Sequence, residues 1–242
     1  MSEMVSIVRA IVQCAVLPEF EGLRQVFRAQ KIEHGGHRSS FVSEDQRVVC
    51  VLGGMGFERA KESAYWALKK WKTQSFFDFG IAGGLAPMVS VGDIVIADYV
   101  YFSNQTKAEL NFVLPLKDFP EFEMRNGARV FKGGIREVKE VILDTEHRKQ
   151  IYEETKGSKK VGALAVTWET GALYQISLSL KLNYQSVRMI SDVKEEDLTA
   201  LRPLEGIPAE FLPSILGKKI RRDIAAMSAL DWQQLGLPPK NK

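Results

Sequence analysis

The chain has 242 residues, 45% hydrophobic, 10% aromatic and 26% charged, the balance of an ordinary globular protein long enough to bury a core without staples. A formal net charge of +3 is too small to imply a nucleic-acid partner by itself, and no apolar run approaches the roughly eighteen residues a membrane span needs. Only Cys14 and Cys50 occur. Without a Cys-x-x-Cys they argue against a disulfide framework or a structural zinc site and for a reducing, cytoplasmic setting.

Residues 5–15 read as a buried first strand: Arg9 and Gln13 interrupt the apolar run and Glu3 precedes it, unlike a signal peptide. Pro18 then opens a helix carrying Leu23, Val26 and Phe27. His34-Gly35-Gly36-His37 is a glycine turn with two histidines and no third ligand nearby, so no metal is expected there. Residues 47–52 form a strand ending in Gly53-Gly54-Met55-Gly56. A helix follows with Ala60, Ala64, Ala67, Leu68 and Trp71 on one face. Residues 76–81 form a buried strand closed by Ala82-Gly83-Gly84, and Val91-Gly92-Asp93 turns the chain into a strand over residues 94–97.

Residues 102–129 are the least periodic and read as an irregular loop, with Phe102, Phe112, Phe119 and Phe122 as loop anchors or the lining of a channel. Residues 146–154 read as a surface helix and 161–166 as a strand. Trp168-Glu169-Thr170-Gly171 starts a crossover helix with Ala172, Leu173, Ile176 and Leu180 as its apolar stripe, and the strand over residues 185–191 runs into Asp192. In a βαβ unit those two carboxylates converge at the carboxyl edge of the sheet, where ligands bind. The tail, about residues 209–242, is basic and helical. Leu212, Leu216, Ile220 and Ile224 recur every fourth residue with Lys218, Lys219, Arg221 and Arg222 between them. It would pack on the core or lie peripherally on an anionic membrane surface. Alternating strands and helices with no linker or repeat predict one layered α/β domain over residues 1–242.

The glycine motifs narrow the function. From Gly54 the third glycine of a dinucleotide fingerprint would fall on Arg59, and no Gly-Lys-Ser or Gly-Lys-Thr exists. What remains are two strand-to-glycine junctions, 53–56 and 80–84, where backbone N–H groups can approach a ligand oxygen.

Phe79-Gly80-Ile81-Ala82-Gly83-Gly84-Leu85, followed by Val91-Gly92-Asp93-Ile94-Val95-Ile96, resembles the nucleoside phosphorylase and nucleosidase superfamily. Residues 14–19, Gly54-Met55-Gly56, Trp168-Glu169 and Ile190-Ser191-Asp192 follow in the order that superfamily would have them. The resemblance covers about residues 5–193 and implies a three-layer α/β/α domain with a mixed central sheet. It lies in the purine branch, near methylthioadenosine/adenosylhomocysteine nucleosidases, with wording also similar to hopanoid-associated phosphorylase-like proteins.

The resemblance implies a purine nucleoside as substrate. Asp192 would be the acid toward purine N7, Glu169 the carboxylate on the ribose hydroxyls and Glu19 the group that activates water. Trp168, Met55, Ala82 and Gly83 would line the pocket. It implies no cofactor beyond inorganic phosphate if the enzyme is a phosphorylase, and a homo-oligomer by analogy. Three departures stand out: Ile81 where relatives commonly have a hydroxyl, Thr167 where an acid is usual, and Asp78 where many phosphorylases have an arginine, a carboxylate there repelling phosphate. Water is thus expected as nucleophile. A phosphorylase would need Arg24, Arg47 or Arg59 as its anion site, and a third possibility is a binding protein on a retired enzyme fold.

Overall fold

The computed structural model describes residues 6–29, 32–35, 38–104, 106–110, 128–140, 142, 144–157 and 161–193. The chain divides into two units, Met1–Glu195 and Glu196–Lys242. The basic tail and Phe112, Phe119 and Phe122 lie outside the described residues.

Two short strands, β1 (Ser6–Ile7) and β2 (Ala10–Cys14), replace the single first strand. Strand alternation in β2 splits the core in two. Ile11 joins a large cluster with Ala60, Ala64, Phe76, Leu173 and Ile190. Val12 and Cys14 join a smaller one with Phe20, Leu23, Phe41 and Cys50. Helix α1 (Leu17–Val26) buries Phe20 and Leu23 against the smaller cluster. Val26, expected on its apolar face, is exposed.

A hairpin, β3 (Glu33–Gly35) and β4 (Arg38–Val42), joins β5 (Val48–Leu52) antiparallel. On that hairpin the His34 ring shares a hydrogen bond with the Ser39 hydroxyl. Helix α2 (Phe57–Lys70) buries Ala60, Ser63, Ala64 and Ala67, small residues that let it sit close to the sheet. Trp71 is not on that helix: it begins β6 (Trp71–Lys72), which pairs with β1.

β7 (Ser75–Gly84) is ten residues long and runs through the glycines, so residues 80–84 are strand and not a turn. β8 (Ile94–Tyr101) and β9 (Lys107–Glu109) follow. β10 (Val130–Glu137) was not legible as a strand. Helix α3 (Thr145–Lys156) opens on Asp144, whose carboxylate accepts from Glu146 N, and buries Arg148, Ile151, Tyr152 and Thr155, one packed face on what reads as a surface helix. β11 (Ala163–Thr167), α4 (Thr170–Ser179) and β12 (Asn183–Asp192) complete the described chain. Leu180, expected in the stripe of α4, caps that helix and is half exposed.

The main sheet runs β11-β10-β8-β12-β7-β2-β5-β4-β3, with β11 also pairing with β7. That extra pairing closes β7, β12, β8, β10 and β11 into a ring, from which β2, β5, β4 and β3 extend as an open sheet. α1 packs on the side of the smaller cluster, while α2 and α4 bury their apolar residues in the larger one. The architecture is α/β with helices on both sides of a mixed sheet. One expectation fails in detail. β12 is parallel to β7, and β7 is antiparallel to β11, so β11–α4–β12 is not a parallel βαβ unit.

Candidate active site

β2, β5, β7 and β12 run parallel, so the segments leaving their carboxyl ends gather on one edge. β11 comes from the opposite direction and is paired Ala165 with Gly84 and Val166 with Gly83. Its exit therefore carries Glu169 back along β7 toward Gly80.

Glu19, half-buried in the first turn of α1, is fixed by three backbone donors. Its Oε2 accepts from Ala15 N at 2.8 Å and Val16 N at 3.0 Å, and its Oε1 accepts from Ile81 N at 2.8 Å. A carboxylate offers about four acceptor sites, so about one remains for a water molecule. Gly80 makes this approach possible. A Cβ there would lie 2.5 Å from Glu19 Oε1 and 2.9 Å from Arg188 Nη1. Register explains the second contact, since Arg188 stands opposite Gly80 on the paired strand.

Glu169 is buried, and its Oε1 accepts from Gly56 N at 2.9 Å. Gly56 has φ +91°, which favours glycine and turns its N–H across to β11's exit. Glu169 Oε2 lies 3.9 Å from Arg188 Nη2 and accepts no hydrogen bond among the described residues. Burial pushes the Glu169 carboxyl above the usual carboxylate range, against the pull of Arg188 and the Gly56 N–H.

Arg188 is the hub and was read only as part of a strand motif. It is 1% exposed and pairs with Asp78. Asp78 Oδ2 also accepts from Thr170 Oγ1 at 2.8 Å, Tyr184 OH at 3.1 Å and Ser186 Oγ at 3.1 Å. Burial works against the guanidinium's charge, but Asp78, Glu169 and Glu19 outweigh it and hold its pKa above the ordinary arginine value. Asp78 is thus not an open charge facing a phosphate, as the sequence implied. It is the buried counter-ion of Arg188. Thr167 belongs to the same network, with its hydroxyl 2.8 Å from Thr170 Oγ1. The signal was period two in β12: Ser186 and Arg188 share parity with Tyr184 and Ile190, so polar and charged residues fall on a buried face, and a register shift after Ile190 takes Asp192 off that alternation.

Asp192 is 4% exposed and forms an ion pair with Arg148 of α3, while Ser191 Oγ donates to its Oδ1. It is paired with Gly83, three positions beyond Gly80. At about 3.3 Å per residue the Asp192 level and the Arg188–Glu169 level are roughly 10 Å apart along β7, about the span of a nucleoside. Trp168 is half-buried, and its Nε1 donates to Glu140 O at 3.1 Å. Met55 is half-buried in the glycine turn, Ala82 is buried beneath Ser191, whose hydroxyl donates to Ala82 O at 3.2 Å, and Gly83 lies beside Asp192.

Of the arginines considered for an anion site, Arg24 pairs with Glu21 and Arg47 with Asp45, both at the surface. Arg59 is exposed beside Gly54. Burial pushes the Cys14 and Cys50 thiols up, which leaves neither as a ready nucleophile.

A mixed sheet that brings Glu19 and Glu169 to one guanidinium and ends β12 on a buried acid fits an enzyme of the nucleosidase or nucleoside phosphorylase class. The family model of the phosphorylase superfamily matches residues 9–205, and the chain belongs to that superfamily. No curated protein matches it in sequence.

Its fold is similar to solved 5′-methylthioadenosine/S-adenosylhomocysteine nucleosidases. The Neisseria meningitidis enzyme, in complex with methylthio-immucillin-A, superposes with TM-score 0.65 at 22% identity over 78% of this chain and 88% of that one. The Colwellia psychrerythraea 34H enzyme, in complex with adenine, gives 0.60 at 18% identity over 78% and 84%. The Helicobacter pylori enzyme, with butyl-thio-DADMe-Immucillin-A, gives 0.62 at 15% identity over 90% and 100%.

Proposed function

We propose that the chain is a purine nucleosidase that hydrolyses the N-glycosidic bond of a 5′-substituted adenosine. The observation that carries this reading is the open Oε2 of Glu169, held beside Arg188 and roughly 10 Å along the sheet from Asp192. The hydroxyls of a ribose there donate hydrogen bonds to Glu169, while the purine lies toward Asp192. As the bond from C1′ to the base breaks, its electron pair goes to the purine and the proton of Asp192 goes to a ring nitrogen. Positive charge develops on the sugar, and the carboxylates of Glu19 and Glu169 stabilise it. Water attacks C1′ and gives its proton to Glu19.

The choice of water over phosphate rests on charge. Asp78 already balances the one guanidinium, and Glu19 and Glu169 lie beside it, a poor setting for an anion. A phosphorylase of the same fold would have to place phosphate by Arg59 at the start of α2. The relatives' ligands, adenine and methylthio-immucillin-A, support an adenine-bearing substrate. A homo-oligomer belongs to the same reading by analogy.

The test is free adenine released from methylthioadenosine, with and without inorganic phosphate. Release should be independent of phosphate, and Asp192→Asn should lower it by about 100-fold or more. Strict dependence on phosphate would establish the phosphorylase instead, and adenine binding without turnover would mark a binding protein.

A further inference from the structure

We propose that Thr167 and Thr170 are positioning residues for the same reaction, their paired hydroxyls stapling the turn that carries Glu169 so that its carboxylate meets the ribose; this rests on the nucleosidase reading above. Thr167 is the last residue of β11 and Thr170 the first of α4, so the two bracket Trp168 and Glu169. Both are buried, Thr170 completely. Thr167 Oγ1 donates to Thr170 Oγ1 at 2.8 Å, and Thr170 Oγ1 donates in turn to Asp78 Oδ2 at 2.8 Å. Arg188 Nη2 lies 3.3 Å from the same Thr170 oxygen, and Tyr184 OH donates to Thr170 O at 3.2 Å. A hydroxyl has one proton and two lone pairs, so Thr170 Oγ1 is fully used. Its residue is tied to β7 and β12 through both side chain and backbone.

The turn needs such a staple because its own residues do not close it. Glu169 is the N-cap of α4, where a side-chain oxygen normally accepts from the first free N–H groups of the helix. Its carboxylate makes no such bond. Oε1 reaches across to Gly56 N instead, which leaves Oε2 beside Arg188. Trp168 also turns away, its Nε1 donating to Glu140 O. The Thr167–Thr170 pair bridges the two ends of the turn, and Asp78 anchors that pair to β7. Glu19 is held to the same strand through Ile81 N. Both carboxylates at the sugar are thereby indexed to one strand, three residues apart along it. A displacement of about 1 Å near a reacting centre can cost on the order of a hundredfold in rate, so the staple acts on recognition and rate.

The experiment compares full-length wild type with Thr167→Val, Thr170→Val, Thr170→Ser and the double valine variant. Adenine release is followed from methylthioadenosine and from its 2′,3′-dideoxy counterpart, which has no ring hydroxyl to offer Glu169. The ratio of kcat/KM for the two substrates cancels their intrinsic reactivities when proteins are compared. That ratio should fall about tenfold in Thr170→Val and about fivefold in Thr167→Val, and stay within about twofold of wild type in Thr170→Ser. The double variant should lose no more than about twofold beyond Thr170→Val, because the two hydroxyls act as one staple. Equal losses on both substrates would mark a purely structural role and overturn the proposal, as would losses that multiply fully.

Amide hydrogen exchange reads the same hold without turnover. The Gly56 N–H, bonded to Glu169, should exchange about tenfold faster in Thr170→Val, with the Ile81 N–H, bonded to Glu19, unchanged. Equal acceleration at both would mark general loosening and overturn the proposal. If wild type releases no adenine yet the Gly56 amide alone responds, the nucleosidase reading falls while the staple on Glu169 holds. If that amide does not respond, the proposal fails whatever the activity. Should Thr170→Val fail to fold, Thr167→Val, which leaves Asp78 its donor, carries both measurements.

Discussion

Arg188 and Arg148 are both buried, and both hold a carboxylate, Asp78 midway along β7 and Asp192 at the end of β12, but the charge around them differs. Arg188 answers Asp78, Glu169 and Glu19, three carboxylates against one guanidinium, which leaves two negative charges uncompensated. Arg148 answers Asp192 alone, a neutral pair. The first environment suits a sugar that turns positive and repels an anionic co-substrate. The second is balanced within itself. One edge of one sheet thus holds two electrostatic settings, separated by the few residues between Gly80 and Gly83.

The comparison breaks most sharply at Arg188. Arg188→Met leaves Asp78 buried without its cation, and chemical denaturation should show a loss of about 3–5 kcal/mol. A loss below about 1 kcal/mol would mean that the hydroxyls of Thr170, Tyr184 and Ser186 alone neutralise Asp78.

Gly80→Ala is the intermediate case. The added methyl meets Glu19 and Arg188 together, so it should cost about 1–3 kcal/mol and reduce adenine release while leaving the Arg148–Asp192 end untouched. Normal activity in a stable Gly80→Ala protein would show that Glu19 need not sit against β7.

Glu169→Gln is the smallest and has the opposite sign. Burial raises the folded pKa of Glu169 above its unfolded value, so the ionised form weakens folding at neutral pH. That cost fades as pH falls through the folded pKa. The variant should therefore be more stable than wild type near neutrality, by about 1 kcal/mol or a few degrees in Tm, with the gap closing in acid. It should also lose ribose recognition. A gap independent of pH would remove the burial argument.

Much of this was legible because pattern and environment agree. The strand cores of β5 and β7 are largely apolar, and α2 repeats alanine at helical spacing. β10 was missed because Lys132, Gly133, Gly134 and Arg136 break any alternation. Its glycines are there for close approach: a Cβ at Gly133 would meet Leu164, and one at Gly134 would meet Tyr101. Glu169 and Asp192 were identified from their motifs, but their partners were not. Arg148 sits in the charged run Glu146-His147-Arg148-Lys149, which reads as solvated, and only tertiary packing selects the one member that turns inward. Asp78 was read as a carboxylate that repels phosphate because sequence cannot show that its counter-ion lies two positions beyond its partner across a ladder.

The closure of five strands into a ring has a consequence of its own. β7 is bonded to β12, β2 and β11, so the stretch at Gly83 and Gly84 presents no free margin to solvent. Such a wall cannot fray inward from an end, and no stray strand can dock there. Access for a guest must come from side chains and connecting segments that shift above a seamless floor.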